Sequence, residues 1–209
     1  GYLRLAVELA TGFCAGALLV AFKQNILYVP FPDFFQSIFG GIVSTGATGS
    51  ILGAWVPHPL FYILLAGFLV ASTTNAFNLH DGMDGLSAGT GCQVFATISL
   101  ILAFFGGQFL QYSTLAAGVA GALCAFLVFN RYPARIFMGD TGSLFIGGLM
   151  GMIVLCGGMV FLFVPLALIY IVEALSVMAQ VIYFKLTKKM EGEEKLPIYK
   201  VVFTKLTKR

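Results

Sequence analysis

Charge is what this sequence has least of. Asp, Glu, Lys and Arg make up 10% of its 209 residues, against 59% apolar side chains and a mean hydropathy of +0.94. A soluble domain carries about 25% charged residues, so there is too little polar surface here to cover a water-facing globule. The same figures exclude a disordered chain. Cysteine is scarce as well: Cys14, Cys92, Cys124 and Cys156 sit inside apolar runs with no CxxC pair and no His cluster. Neither a zinc site nor a disulfide framework is thereby signalled, and the spacing predicts buried, inert thiols. There are two histidines. His58 opens an apolar run and reads as an interface residue; for His80, between Asn78 and Asp81, contact with phosphate is one reading among others. A charged leader with a small-residue cleavage site is missing, so the first apolar run reads as a span rather than a signal peptide.

What is present is long apolar runs. A bilayer core about 30 Å thick needs about 20 consecutive apolar residues in a helix, and six stretches qualify: 2–22, 58–78, 86–106, 110–130, 142–160 and 162–184. The expected fold is all-α, a polytopic membrane helix bundle. Residues 1–184 form the bundle, and 185–209 form a basic cytoplasmic tail or interfacial segment. The last two runs almost touch, which predicts a tight hairpin around 160–165. Alternating the spans puts Arg4, Arg131, Arg135 and every cation from Lys185 onward on one side and leaves Lys23 on the other. This positive-inside bias predicts cytoplasmic termini and cytoplasmic loops around Asp81 and around 130–141. It also argues against a nucleic-acid reader, whose cations would be spread over a binding face. Residues 23–57, punctuated by Gly and Pro, read as an external turn-rich or short hairpin segment with Trp55 at the interface. Gly12 with Gly16, and Gly147 with Gly151, have the four-residue spacing that lets helices approach closely in lipid. The tail repeats Lys-Leu-Thr-Lys at 185 and 205. It either lies along the anionic leaflet or is simply solvated.

Two polar constellations stand at the cytoplasmic mouths of these spans. In the first, Asn75, Asn78, Asp81 and Asp84 recur every three residues, ending in a Gly-rich turn. A polar helix C-terminus is one reading. Two carboxylates opposing the helix dipole there ask for a cation or metal, which is the other. In the second, Asp140 stands between Gly139 and Gly142, three residues after Phe137 and near Asn130, Arg131 and Arg135. Asp140 is either a helix N-cap or a hard oxygen ligand beside free backbone N–H groups, suited to Mg²⁺ and phosphate. Phe137 is either a membrane-surface anchor or a platform for a planar base. Within the last run, Glu173 and Gln180 share a helix face with Ser176 between them. Glu173 is either functional or hydrogen-bonded to neighbouring helices, and Glu8 is read the same way.

Residues 75–88 (NAFNLHDGMDGLSA), 130–143 (NRYPARIFMGDTGS) and 172–181 (VEALSVMAQV) resemble three signatures of the polyprenyl-phosphate N-acetylhexosamine-1-phosphate transferases. Within that superfamily they are most similar to the phospho-N-acetylmuramoyl-pentapeptide branch. The resemblance runs from the first span through the last, with the motifs in the family's order. It implies transfer of phospho-MurNAc-pentapeptide from UDP-MurNAc-pentapeptide to undecaprenyl phosphate, with Mg²⁺, at the cytoplasmic face of the bacterial inner membrane. The products are lipid I, for peptidoglycan synthesis, and UMP. By that analogy Asp81 and Asp140 are catalytic and Asp140 is the metal ligand. Phe137 stacks on uracil and Asp84 hydrogen-bonds that base, with Leu79, Gly82 and Met83 shaping the pocket. Asn75, Asn78, Asp81, Asn130 and Gln180 line the ribose, diphosphate and sugar region. Membrane lipid is a further partner, and a homodimer stays open.

The chain departs from the family in having no Asp-Asp pair on an earlier cytoplasmic loop, no His-rich loop after the Glu173 span, and fewer spans. His80 stands where a Thr is more usual. The expectation is therefore the central and C-terminal part of a larger enzyme, inactive by itself. The alternatives are transfer of GlcNAc-1-phosphate onto the same lipid and, in a different class, a transporter or non-catalytic membrane subunit. The last would want carboxylates near the bilayer midplane.

Overall fold

A computed structural model describes residues 2–30 and 52–191, with their side chains except those of Leu52 and residues 185–191. The chain forms two compact units, the first running through Ala174 and the second beginning at Leu175. In chain order the elements are α1 (Tyr2–Ala21), β1 (Leu27–Pro30), β2 (Leu52–Trp55), α2 (Pro59–His80), α3 (Leu86–Phe105), a 3₁₀ turn (Gly107–Phe109), α4 (Leu110–Asn130), α5 (Gly139–Cys156), α6 (Val160–Leu166) and α7 (Leu168–Glu191). Five helices are long and apolar enough to cross a membrane, and α6 with α7 makes a sixth, broken candidate. The fold is thus an all-α polytopic bundle, as the apolar runs require.

In the first unit α2 is the central post, with α1 and α5 packed against it. Small residues explain how closely. A Cβ on Gly12 would lie 2.7 Å from the Gly67 Cα, and one on Gly147 would lie 2.7 Å from the Thr73 carbonyl oxygen. Side chains larger than hydrogen would hold these backbones apart, and in lipid it is such close packing rather than a hydrophobic drive that joins helices. The helices α3 and α4 form an antiparallel pair. Its Ser99 and Ser113 hydroxyls each donate to the other's carbonyl, at 2.9 and 2.8 Å. Phe77, Phe95, Leu102, Met150 and Leu155 fill the core, whereas Phe68, Leu100, Phe104 and Val128 point outward, as suits a lipid-facing surface.

The short hairpin expected in residues 23–57 is present in its described part: β1 and β2 pair antiparallel, Leu27 opposite Trp55. Its Tyr28 amide donates to the Gly158 carbonyl at 2.7 Å, docking the ribbon on the α5–α6 turn. Trp55 packs between the rings of Phe61 and Phe161. Residues 31–51, which include Asp33, and the basic tail from 192 lie outside the described residues.

Three expectations are corrected. The hairpin placed at 160–165 turns earlier, at residues 157–159, where Gly157 and Gly158 close the end of α5. Pro165 instead falls inside α6, and the apolar run breaks two residues later at Ala167. The cysteines are not all buried free thiols: Cys92 on α3 and Cys124 on α4 are joined in a disulfide, with their Cα atoms 5.8 Å apart, and Cys14 is exposed. The α3–α4 hairpin brings positions 32 residues apart to one level, which spacing alone does not reveal. Finally, α5 begins at Gly139 with Met138 at its N-cap, so Asp140 sits within the first turn rather than capping it.

Candidate functional site

The C-terminal end of α2, the N-terminal ends of α1, α3 and α5, and the C-terminal end of α4 meet at one end of the bundle. Two hydrogen-bond networks build the site there. Arg4, in the first turn of α1, donates Nε to Glu8 at 3.0 Å and a terminal nitrogen to the side-chain oxygens of Asn75 and Asn78, at 2.8 and 3.2 Å. Asn75 in turn donates to the second oxygen of Glu8. Asn78 donates to Asp140 at 3.2 Å and to the Ser143 hydroxyl at 2.8 Å. Three helices are thereby joined through α2's polar stripe. Glu8 is only 8% exposed, so its charge is affordable there because Arg4 and Asn75 engage both oxygens.

The second network holds the two Asp loops together. Asn130, 3% exposed, accepts from the Gly85 amide at 3.0 Å and donates to the Ile136 carbonyl at 2.9 Å. Asp84 accepts from the Ala134 amide at 3.0 Å. Gly85 is left-handed, with φ of 76°, and a Cβ there would come 3.5 Å from the Arg131 Cα. A glycine is what permits that turn against the α4–α5 loop. Asp81 is the C-cap of α2 and accepts from Ser87 at 2.5 Å. Leu79, Gly82 and Met83 are exposed on the turn, and Phe137 on the facing loop is 75% exposed.

The structure therefore brings together Asn75, Asn78 and Asp140 in one network and Asp84 and Asn130 in the other. Gln180 belongs to the second unit, where it donates to Ser176 at 3.3 Å. His80 is not at a phosphate-accessible surface: it is 2% exposed, with its Nδ1 against the Glu173 carboxylate and its ring edge-on to Tyr170. One turn of helix decides this. His80 falls on the buried face with Phe77, whereas Asn78 faces α1 and α5. Arg4, Ser87 and Ser143 join the site without having been singled out for it in the sequence. An acid and a base four residues apart inside an otherwise apolar run, Arg4 and Glu8, was the available signal.

Among the described residues no group of three or more His, Cys, Asp or Glu side chains could hold a metal. The donor set does fit a cation completed by its substrate. Asp140 is exposed, supplies a hard carboxylate at the α5 N-terminus and is oriented by Asn78. Mg²⁺ commonly takes one or two carboxylates and fills its octahedron with phosphate oxygens and water. Beside this site an apolar groove of about 760 Å³ starts at Arg4 and Glu8 and is walled by α1, α2 and α5.

The model of glycosyl transferase family 4 matches residues 3–158. Among curated proteins, the phospho-N-acetylmuramoyl-pentapeptide-transferase of Clostridium perfringens strain SM101 is 46% identical over 171 residues, covering 82% of this chain and 52% of that protein. The like-named protein of Caldanaerobacter subterraneus is 42% identical, covering 85% of this chain and 58% of its own length. That of Shouchella clausii is 38% identical, covering 84% and 50%. The chain thus spans about half the length of the curated relatives it matches.

Proposed function

Because the chain belongs to glycosyl transferase family 4, we propose that it forms the nucleotide-sugar side of a phospho-N-acetylmuramoyl-pentapeptide transferase. In this reaction an oxygen of undecaprenyl phosphate attacks the sugar-bearing phosphorus of UDP-MurNAc-pentapeptide. The bond from that phosphorus to the bridging oxygen breaks, UMP leaves with the bridging oxygen, and lipid I remains in the membrane. The observation that carries the reading is the convergence of two aspartate loops through the Asn78–Asp140 and Asp84–Ala134 hydrogen bonds. Transfer of a phosphoryl group asks a protein mainly for positioning and charge neutralisation, and this end of the bundle offers both.

Asp140, aimed by Asn78, is the residue that would hold Mg²⁺. Bound there, the ion supplies positive charge at the diphosphate. Arg4 adds a second positive charge beside it, held in place by Glu8, Asn75 and Asn78. Asp81 faces the same mouth and is the further catalytic group, its carboxylate oriented by Ser87. Phe137 offers an open ring face to uracil, with Asp84 at the base edge and Leu79, Gly82 and Met83 lining the turn. Asn75 and Asn130 support the diphosphate and sugar region, and Gln180 is assigned to it on the family resemblance. The positive-inside charge pattern supports a site on the cytoplasmic face of a bacterial inner membrane.

The test is UMP release by the intact enzyme, purified in detergent and given undecaprenyl phosphate with either UDP-MurNAc-pentapeptide or UDP-GlcNAc. The expected result is Mg²⁺-dependent UMP release from the muramoyl substrate, lowered at least about a hundredfold by Asp140→Asn with the protein still folded. Turnover of UDP-GlcNAc in its place, or an active Asp140→Asn variant, overturns the assignment.

A further inference from the structure

Among the described residues His80 and Glu173 have no hydrogen bond to the groups assigned to nucleotide, sugar or metal, yet a buried His80 and a partly exposed Glu173 meet one residue from Asp81. A His that is 2% exposed is costly unless its nitrogens are engaged. Here Nδ1 lies in contact with the Glu173 Oε2, and neither ring nitrogen has a hydrogen-bond partner among the described residues. Around the pair, Tyr170 packs against the His80 ring with centroids 4.7 Å apart and against Phe77 at 5.8 Å. The Tyr170 hydroxyl donates to Thr90 Oγ1 at 3.3 Å. The start of α7 is thus pinned to both α2 and α3.

The next residue, Asp81, is held from the opposite side. Its amide caps α2 by donating to the Asn78 carbonyl at 3.3 Å, and its carboxylate accepts from Ser87 on α3. Replacing both partners of a buried polar contact by apolar groups of the same shape is usually close to neutral for stability, so fold stability alone gives little reason for His80 and Glu173. What a directional pair adds is a fixed position for the end of α2. We infer that the His80–Glu173 pair is a clamp that sets where the Asp81 carboxylate stands. Both are positioning residues for the transfer reaction and touch no substrate. The inference rests on Asp81 acting in that reaction.

The experiment compares Glu173→Ala, Glu173→Gln, His80→Ala and the double variant His80→Ala/Glu173→Ala in the intact membrane protein. UMP release gives kcat and the KM for UDP-MurNAc-pentapeptide, and thermal unfolding in detergent checks the fold. A displaced reacting group costs rate, by about tenfold to a hundredfold for shifts near 1 Å. Glu173→Ala should therefore lower kcat by about that factor while KM stays within about twofold. Glu173→Gln keeps an acceptor for His80 and should recover most of the rate. The double variant should be no slower than the worse single one, because each removes the same contact. Losses that multiply in the double variant, an effect on KM alone, or full activity in Glu173→Ala overturn the clamp. If Glu173→Ala does not fold, His80→Gln decides by the same split between kcat and KM, with Glu173→Gln as the near-normal reference. An unaltered enzyme that releases no UMP sinks the transfer reading itself and the clamp with it.

Discussion

Asn78 shows how much one side chain can carry at the mouth of a span. Its amide nitrogen donates to Asp140 and to Ser143, and its oxygen accepts from Arg4. A residue that orients a metal-binding carboxylate from outside the coordination sphere typically costs about tenfold to a hundredfold in metal affinity when lost. If Asp140 holds Mg²⁺ as proposed, Asn78→Ala should raise the Mg²⁺ concentration needed for half-maximal turnover by about tenfold or more, with the rate at saturating Mg²⁺ falling less. An unchanged Mg²⁺ requirement would separate Asn78 from the metal. At this scale the sequence was informative about residue type and poor about direction. The three-residue recurrence of Asn75, Asn78, Asp81 and Asp84 did mark the polar stripe. It could not say that Asp81 turns to Ser87, that Asp84 holds the Ala134 amide, or that His80, between Asn78 and Asp81, faces inward. The Asp84 contact depends on a partner fifty residues away, the inward turn of His80 on the helical phase at the end of α2, and the Asp81 contact on how the α2–α3 turn places Ser87 six residues on.

At the scale of elements the glycines of α1 and α5 govern the assembly. A Cβ on Gly147 would press on Thr73 and Thr74 backbone atoms at 2.7 and 2.8 Å, which cannot yield as a flexible side chain could. Gly147→Val should therefore force α5 away from α2 and destabilise the bundle by about 1–3 kcal/mol, read as a lower unfolding temperature in detergent. Gly118→Val on α4, where a Cβ would meet nothing within 4 Å, should leave that temperature nearly unchanged. Equal effects at the two positions would remove the close-packing account. Most helix boundaries were legible because a run of about 20 apolar residues in a nearly uncharged chain has few other structures open to it. The break at Ala167 was not, since hydropathy does not register a bend within an apolar run. Nor was the Cys92–Cys124 disulfide, which needs the α3–α4 register to be known first. The Arg4–Glu8 pair was visible as an anomaly within an apolar helix, while its link to Asn75 required the packing of α1 on α2.

For the first unit as a whole, the consequence of this packing is that polar groups scattered from Arg4 to Asp140 gather at one end of a bundle that is otherwise apolar. Few charges are present, and those described lie mostly where two loops meet, so the proposed nucleotide sugar would be gripped from both sides. The most direct test is calorimetric titration of the intact protein with UDP-MurNAc-pentapeptide and Mg²⁺, comparing the unaltered enzyme with Asp84→Ala on one loop and Phe137→Ala on the other. Each variant should weaken binding, Phe137→Ala by about 1–3 kcal/mol if its ring stacks on uracil as aromatic side chains stack on bases elsewhere. Undiminished affinity in either variant would mean that the two loops do not share a ligand, and the account of the site would fail.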